Sequence, residues 1–173
     1  MCSSSTACSV RLRSTPVIVL LAAVLVTAAG VSLMADAKGT ASYKGKRSAT
    51  VTFKHAYLVK QPEMGGGARI RRLVLSVEDV SAALKACKTT MCTDGGIGDG
   101  MTVDFDSGPR LNYWFVANDQ LIQYSGTTAP VSATLTTDTP TRLAGTLKFD
   151  ASAAGGPVVD VTFDASLVLD IQK

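Results

Sequence analysis

From about residue 40 onward, apolar and polar residues alternate with a period of two, and turn residues separate the alternating runs. Thr40–Lys44 reads as a short first strand and Lys44-Gly45-Lys46 as the turn after it. Ala49–Val59 reads as one longer strand. One of its faces carries Val51, Phe53, His55, Tyr57 and Val59; the other carries Thr50, Thr52 and Lys54 and then turns apolar at Ala56 and Leu58. Gln61–Ala68, with Pro62 and three consecutive glycines, reads as a loop, and Arg69–Ser76 as the returning strand.

The period then changes. Ser76-Val77-Glu78-Asp79 has the form of a capping box, and Val80, Ala83, Leu84 and Cys87 follow at helical spacing. The pattern predicts one short inserted α-helix near 77–87, covering an open end or face of the sheet. Thr93–Gly100 follows as a glycine-rich loop.

The second half alternates again. Met101, Val103 and Phe105 oppose Thr102, Asp104 and Asp106. Ser107-Gly108-Pro109 turns into Leu111–Ala117, and Asn118-Asp119 into Gln120–Gly126. Val131–Thr137 and Arg142–Phe149 follow. In the last strand Val159, Val161, Phe163, Ala165, Leu167 and Leu169 face one way, and Asp160, Thr162, Asp164, Ser166 and Asp170 the other. With eight or nine strands and no strand–helix alternation, the prediction is an all-β fold. An antiparallel sandwich or barrel is the expected architecture.

The first residues change the picture of where this domain works. Pro16–Met34 is an uncharged run rich in Leu, Val and Ala, preceded by Arg11 and Arg13 and closed by Ala35-Asp36-Ala37. That order of charge, apolar stretch and small residues is an export signal. It predicts a signal peptide over 1–37, cleavage between Ala37 and Lys38, and a single antiparallel β domain over 38–173. The expected location is periplasmic or secreted. The alternative is an uncleaved segment 16–34 that anchors the domain in the inner membrane, the only membrane contact the sequence suggests. Cys2 and Cys8 precede the apolar run and leave with it, which argues against a lipoprotein.

The chain has 17 Lys and Arg against 14 Asp and Glu; losing Arg11, Arg13 and Asp36 with the leader leaves 15 against 13, a net charge of +2. So small an excess argues against a nucleic-acid partner.

Cys87 and Cys92 are then the only cysteines, and in an oxidising compartment they are expected to pair. A redox pair would have two intervening residues and a helix N-terminus, and a zinc site would need more ligands than one histidine can add. The loop Gly95–Gly100 only approaches a calcium-binding nonapeptide. A turn without cofactor is the expectation, with one calcium held by Asp94 and Asp99 as the alternative. His55, the single histidine, is expected to be structural, in or at the rim of the core. No Ser or Cys pattern around it supports a triad.

The candidate contact residues are aromatic and basic. Trp114 is expected to point outward between inward Tyr113 and Phe115, with Tyr124 on the next strand. Arg69 and Arg71 share one face at the start of their strand, with Arg72 on the other, a possible anion-binding corner. Asp160, Asp164 and Asp170 are read as a solubilising outer face.

Three short runs carry a resemblance: Lys54-His55-Ala56-Tyr57-Leu58, Arg72-Leu73-Val74-Leu75-Ser76 and Val161-Thr162-Phe163-Asp164-Ala165. They resemble small exported bacterial β-rich proteins of no assigned activity. The resemblance implies a β-rich periplasmic or secreted domain and brings no cofactor or site residue with it. The expected function is therefore a non-enzymatic exported β-domain that binds a small ligand or a protein at the cell envelope. Its candidate contacts are Trp114 and the loops 60–69 and 93–100. The alternatives are a hydrolase using Asp104 with Asp160 or Asp164, and a structural or inhibitory partner of another exported protein.

Overall fold

The computed structural model describes residues 36–63 and 67–172, with the side chain of Asp94 also left aside. The expected signal segment 16–34 lies outside the described residues. Alternation makes ten strands. These are β1 (Asp36–Lys44), β2 (Ser48–Phe53), β3 (His55–Pro62), β4 (Arg69–Ser76) and β5 (Gly100–Phe105), followed by β6 (Leu111–Ala117), β7 (Ile122–Thr128), β8 (Ala133–Thr139), β9 (Arg142–Asp150) and β10 (Val158–Asp170). They form one curled ten-stranded sheet, a half-barrel, in the order β2-β1-β10-β3-β4-β5-β6-β7, with β9 on the other side of β10 and β8 beyond it. The fold is all-β, as the alternation predicts.

Two departures arise from where strands meet partners distant in sequence. The expected strand 49–59 is two strands, and Lys54 between them belongs to neither. Val51 and Phe53 face the main core, and so do Ala56 and Leu58, so the inward phase slips by one residue at Lys54. His55, Tyr57 and Val59 consequently leave the inner face; Tyr57 and Val59 belong to a second cluster on the outside of the sheet. A one-residue slip of this kind sends every later side chain to the opposite face. The second departure is β10. Its first half pairs antiparallel with β1, and past the start of β1 its second half pairs parallel with β3. One pairing is thus parallel in a sheet that is otherwise antiparallel, within the mainly antiparallel fold expected.

The inner core gathers Phe53, Leu58, Leu73, Leu75, Met101, Phe115, Leu143, Leu147, Val161 and Phe163 from both halves of the sheet. Burying each large side chain contributes about 2 kcal/mol. Tyr113 is part of this core, with its ring centroid 4.8 Å from that of Phe149. Gly39 lets β1 and β10 lie close: at φ +148° its missing Cβ would stand 2.2 Å from Asp160 O. Strand β1 starts earlier than expected, and the anticipated cleavage point between Ala37 and Lys38 falls inside it. Ala37 is buried, opposite Phe163, and donates to Lys54 O at 3.2 Å.

The connection between β4 and β5 covers the outer face. Its helix α1 (Ser81–Ala86) starts later than the capping-box pattern predicts. Ser76 is still in β4, and its hydroxyl donates to Glu78 O at 2.7 Å. Asp79 accepts from the Ser81 N–H at 2.9 Å, an Asx turn at the helix entry. Val80 and Leu84 press onto Tyr57, Val59, Val74 and Val116, so the helix covers a sheet face as expected.

Candidate functional site

The disulfide between Cys87 and Cys92 is formed, with a Cα separation of 5.8 Å. Such a bond marks an oxidising compartment. The cysteines flank an exposed ring and hand the chain into a single helical turn, Cys92–Gly95, where a loop was expected. Thr93 in that turn is fully buried. Its oxygen accepts from Arg72 Nη1 at 3.1 Å, and Arg72 grips Asp104 with two bonds, at 2.6 and 2.9 Å. Thr93 has one proton to give, and Thr90 O at 2.7 Å takes it. Gln61, whose Oε1 lies 3.0 Å from Thr93 and whose Nε2 has no partner, satisfies the set once its amide is turned to donate. Arg72 is therefore a buried fastening for the disulfide-closed segment rather than part of an anion-binding corner.

Trp114 does point outward, but it is half-buried against the outer cluster under Val80, Leu84 and Ile97. Tyr113 and Tyr124 lie on the other face, stacked at 6.2 Å, and burial pushes the Tyr113 phenol up to about 12, with Tyr124 adding to the rise. The three aromatic candidates do not share a surface. His55 is half-buried and stacks on Tyr57 at 6.2 Å, at the rim of the outer cluster and not among Val51 and Phe53. The Tyr57 hydroxyl donates to Asp79 at 2.6 Å. Burial and that carboxylate raise the Tyr57 phenol well above its ordinary value, and the same bond lowers Asp79 to about 2.

The loop acids divide. Asp99 accepts from the backbone N–H groups of Asn118 and Asp119 at 3.1 and 3.0 Å, holding a turn in which Asn118, Asp119 and Gln120 all have positive φ. The Asp94 side chain, its expected calcium partner, lies outside the described residues. Asp104, Asp160 and Asp164 bond to Arg72, Lys148 and Arg142 respectively. β3 and β4 stand between the strand of Asp104 and that of the other two.

What does converge is the end of the half-barrel where β3, β5 and β8 finish and β4 and β9 begin. A cleft of about 370 Å³ opens there, lined by Lys60, Arg69, Ile70, Arg71, Asp106, Asp138, Thr139 and Pro140. Arg71 continues the inward face of Leu73 and Leu75, so it reaches the mouth from inside. It binds Asp106 through Nε at 2.6 Å and Nη2 at 3.0 Å, and Asp138 and the Thr139 carbonyl through Nη1. These carboxylates, Asp106 first, hold its guanidinium far above the usual range. Asp170 was expected on the outer face with Asp160 and Asp164. A bulge between Leu167 and Leu169 turns it onto the face of Lys60, its register partner. There it meets Lys60 Nζ at 3.8 Å and bonds Arg69, which also donates to Gln172 at 3.0 Å. Arg69 and Arg71, paired by spacing in the sequence, thus line one cleft. Their partners come from three other segments, the ends of β5, β8 and β10, and carried no local signal.

Among the described residues, no group of His, Cys, Asp and Glu side chains is arranged to hold a metal ion, and no helix is long and apolar enough to cross a membrane. No family model, curated protein or solved structure matches the chain.

Proposed function

We propose that this protein is an exported, non-enzymatic β-domain that binds a small polar ligand in the cleft at the mouth of its half-barrel. The observation behind this reading is the convergence of Lys60, Arg69, Arg71, Asp106 and Asp138 on one cavity of about 370 Å³. That volume lies at the small end of the range for ligand sites, roughly 300–1,000 Å³. Lys60, Arg69, Arg71 and Asp138 stand on strands and are already held in ion pairs, so less order has to be imposed when a ligand arrives. Export is supported by the Arg11–Ala37 pattern and by the disulfide. Of the stretch 60–69, Lys60 in β3 and Arg69 in β4 line this cleft, and Trp114 and the 93–100 segment do not.

Hydrogen exchange of the exported protein, with and without the low-mass fraction of a periplasmic extract, tests the reading. Protection at residues 60, 69–71, 138 and 139 is expected. Protection confined to the 87–99 cap or around Trp114 overturns the assignment of the cleft. Consumption of a component of the extract, abolished by Asp106→Asn or Asp138→Asn, moves ahead a hydrolase built on the acids of the cleft, in place of the one expected from Asp104 with Asp160 or Asp164.

A further inference from the structure

The charges around the cleft are unevenly shared. On one side, Lys60 and Arg69 share the single carboxylate of Asp170. On the other, the single guanidinium of Arg71 serves both Asp106 and Asp138. The first set is one positive charge in excess and the second one negative charge in excess. They are adjacent, since β3 and β4 pair Lys60 with Arg71 directly, and Lys60 and Arg69 of the first set line the same cavity as Arg71, Asp106 and Asp138 of the second.

We propose that the cleft is a dipolar site whose ligand is a small zwitterion, with its carboxylate at Lys60 and Arg69 and its ammonium at Asp106 and Asp138. This inference rests on the cleft being the binding site and adds the class of ligand. A purely anionic ligand gains from Lys60 and Arg69 but meets the excess carboxylate beside Arg71. A cation meets the reverse. A molecule carrying both charges satisfies each set without breaking an existing pair, because each set has an unbalanced member to offer. Lys60 and Arg69 have more donors than one carboxylate can take, and Asp138, with about half of its side chain exposed, has an oxygen to spare. Charge-assisted bonds at both ends give such a ligand both its orientation and its selectivity.

The test uses glycylglycine as the probe, against its N-acetylated and C-amidated forms, with a neutral disaccharide for comparison. Backbone amide NMR of the exported protein reports where each binds and how tightly. Free glycylglycine is expected to shift resonances at residues 60, 69–71, 106, 138 and 139, and blocking either terminus should weaken it roughly tenfold or more. Two substitutions assign the ends. In Asp138→Asn the free and N-acetylated forms should bind more nearly alike, and in Arg69→Ser the free and C-amidated forms should do so. Both residues are exposed at the rim, so folding is not at stake. Equal binding of free and blocked peptides, or no response to any of them, overturns the dipolar assignment. Equal or tighter binding of the disaccharide at the same resonances also overturns it, while leaving the cleft as a binding site.

Discussion

The two ends of the half-barrel hold their cations in opposite ways. At the mouth, Lys60, Arg69 and Arg71 all have carboxylate partners. At the far end, the β1–β2 hairpin exposes Lys44, Lys46 and Arg47, and no described carboxylate approaches within ion-pair distance of them. The concavities there, of about 270 and 390 Å³, are lined by Tyr43, Leu121, Ile122 and Gln123, by Lys44, Lys46 and Arg47 themselves and by small residues, with no acid among them. The difference shows that local sequence does not reveal what a basic residue is for. Arg69-Ile70-Arg71-Arg72 and Lys44-Gly45-Lys46-Arg47 look alike as basic runs. Only the first is surrounded, through β5, β8 and β10, by acids that fix its geometry.

Stability measurements should separate these environments in a definite order. Arg72, with 5% of its side chain exposed against 15% for Asp104, is the most deeply held. Arg72→Met should cost about 3–5 kcal/mol in urea unfolding, because it strands a carboxylate under the disulfide-closed cap. Adding Asp104→Leu should recover much of that loss, since replacing both members by apolar groups is often near neutral. Arg71→Ala, in a half-exposed network, should cost roughly 1–2 kcal/mol, between the ranges for surface and buried pairs. Arg47→Ala should stay within about 0.5 kcal/mol. Equal losses at Arg71 and Arg47 would erase the contrast between the two ends.

Acid should act on paired carboxylates and leave the hairpin cations alone. Asp79 is lowered to about 2, first by the Tyr57 hydroxyl and then by the Ser81 N–H, and Arg142 lowers Asp164. Their folded-state values lie below the unfolded one, so the stability they provide is complete above the unfolded value of 3.8 and is lost as pH falls through the folded values. The domain should therefore weaken as pH falls from about 4 toward 2. In Tyr57→Phe, Asp79 loses its largest stabilising partner, so the variant should be less stable at neutral pH and show a shallower decline in acid. Parallel pH profiles for the two proteins would show that this bond does not set the acid response.

Most of the strand plan was legible because a period of two is a local property. Arg69–Ser76 is β4 at both bounds, and Leu111–Ala117 is β6 likewise. The misses sit where a strand changes partner. Lys54 shifts the inward phase because β2 pairs with β1 while β3 pairs with β4 and β10, and the bulge at Leu167/Leu169 reverses Asp170 on meeting β3. Neither is visible without knowing which strands meet. The helix entry was misread because Ser76 is still in β4, leaving Asp79 to begin the turn. The site was half legible: Arg69 and Arg71 stand on one face by spacing alone. Lys60, Asp106, Asp138 and Asp170 come to them only through pairing between segments far apart in the chain. Trp114 looked like a contact residue because its strand alternates cleanly, yet α1 and Ile97 fold back over that face.

A crystal structure of the protein with glycylglycine reads the position and the orientation of the ligand together. The dipeptide is expected in the mouth cleft, its carboxylate on Lys60 and Arg69 and its ammonium on Asp106 or Asp138. The Arg71 pairs should be intact and the Lys44–Arg47 hairpin bare. A peptide lying the other way round, or bound at the hairpin with the cleft empty, would contradict it.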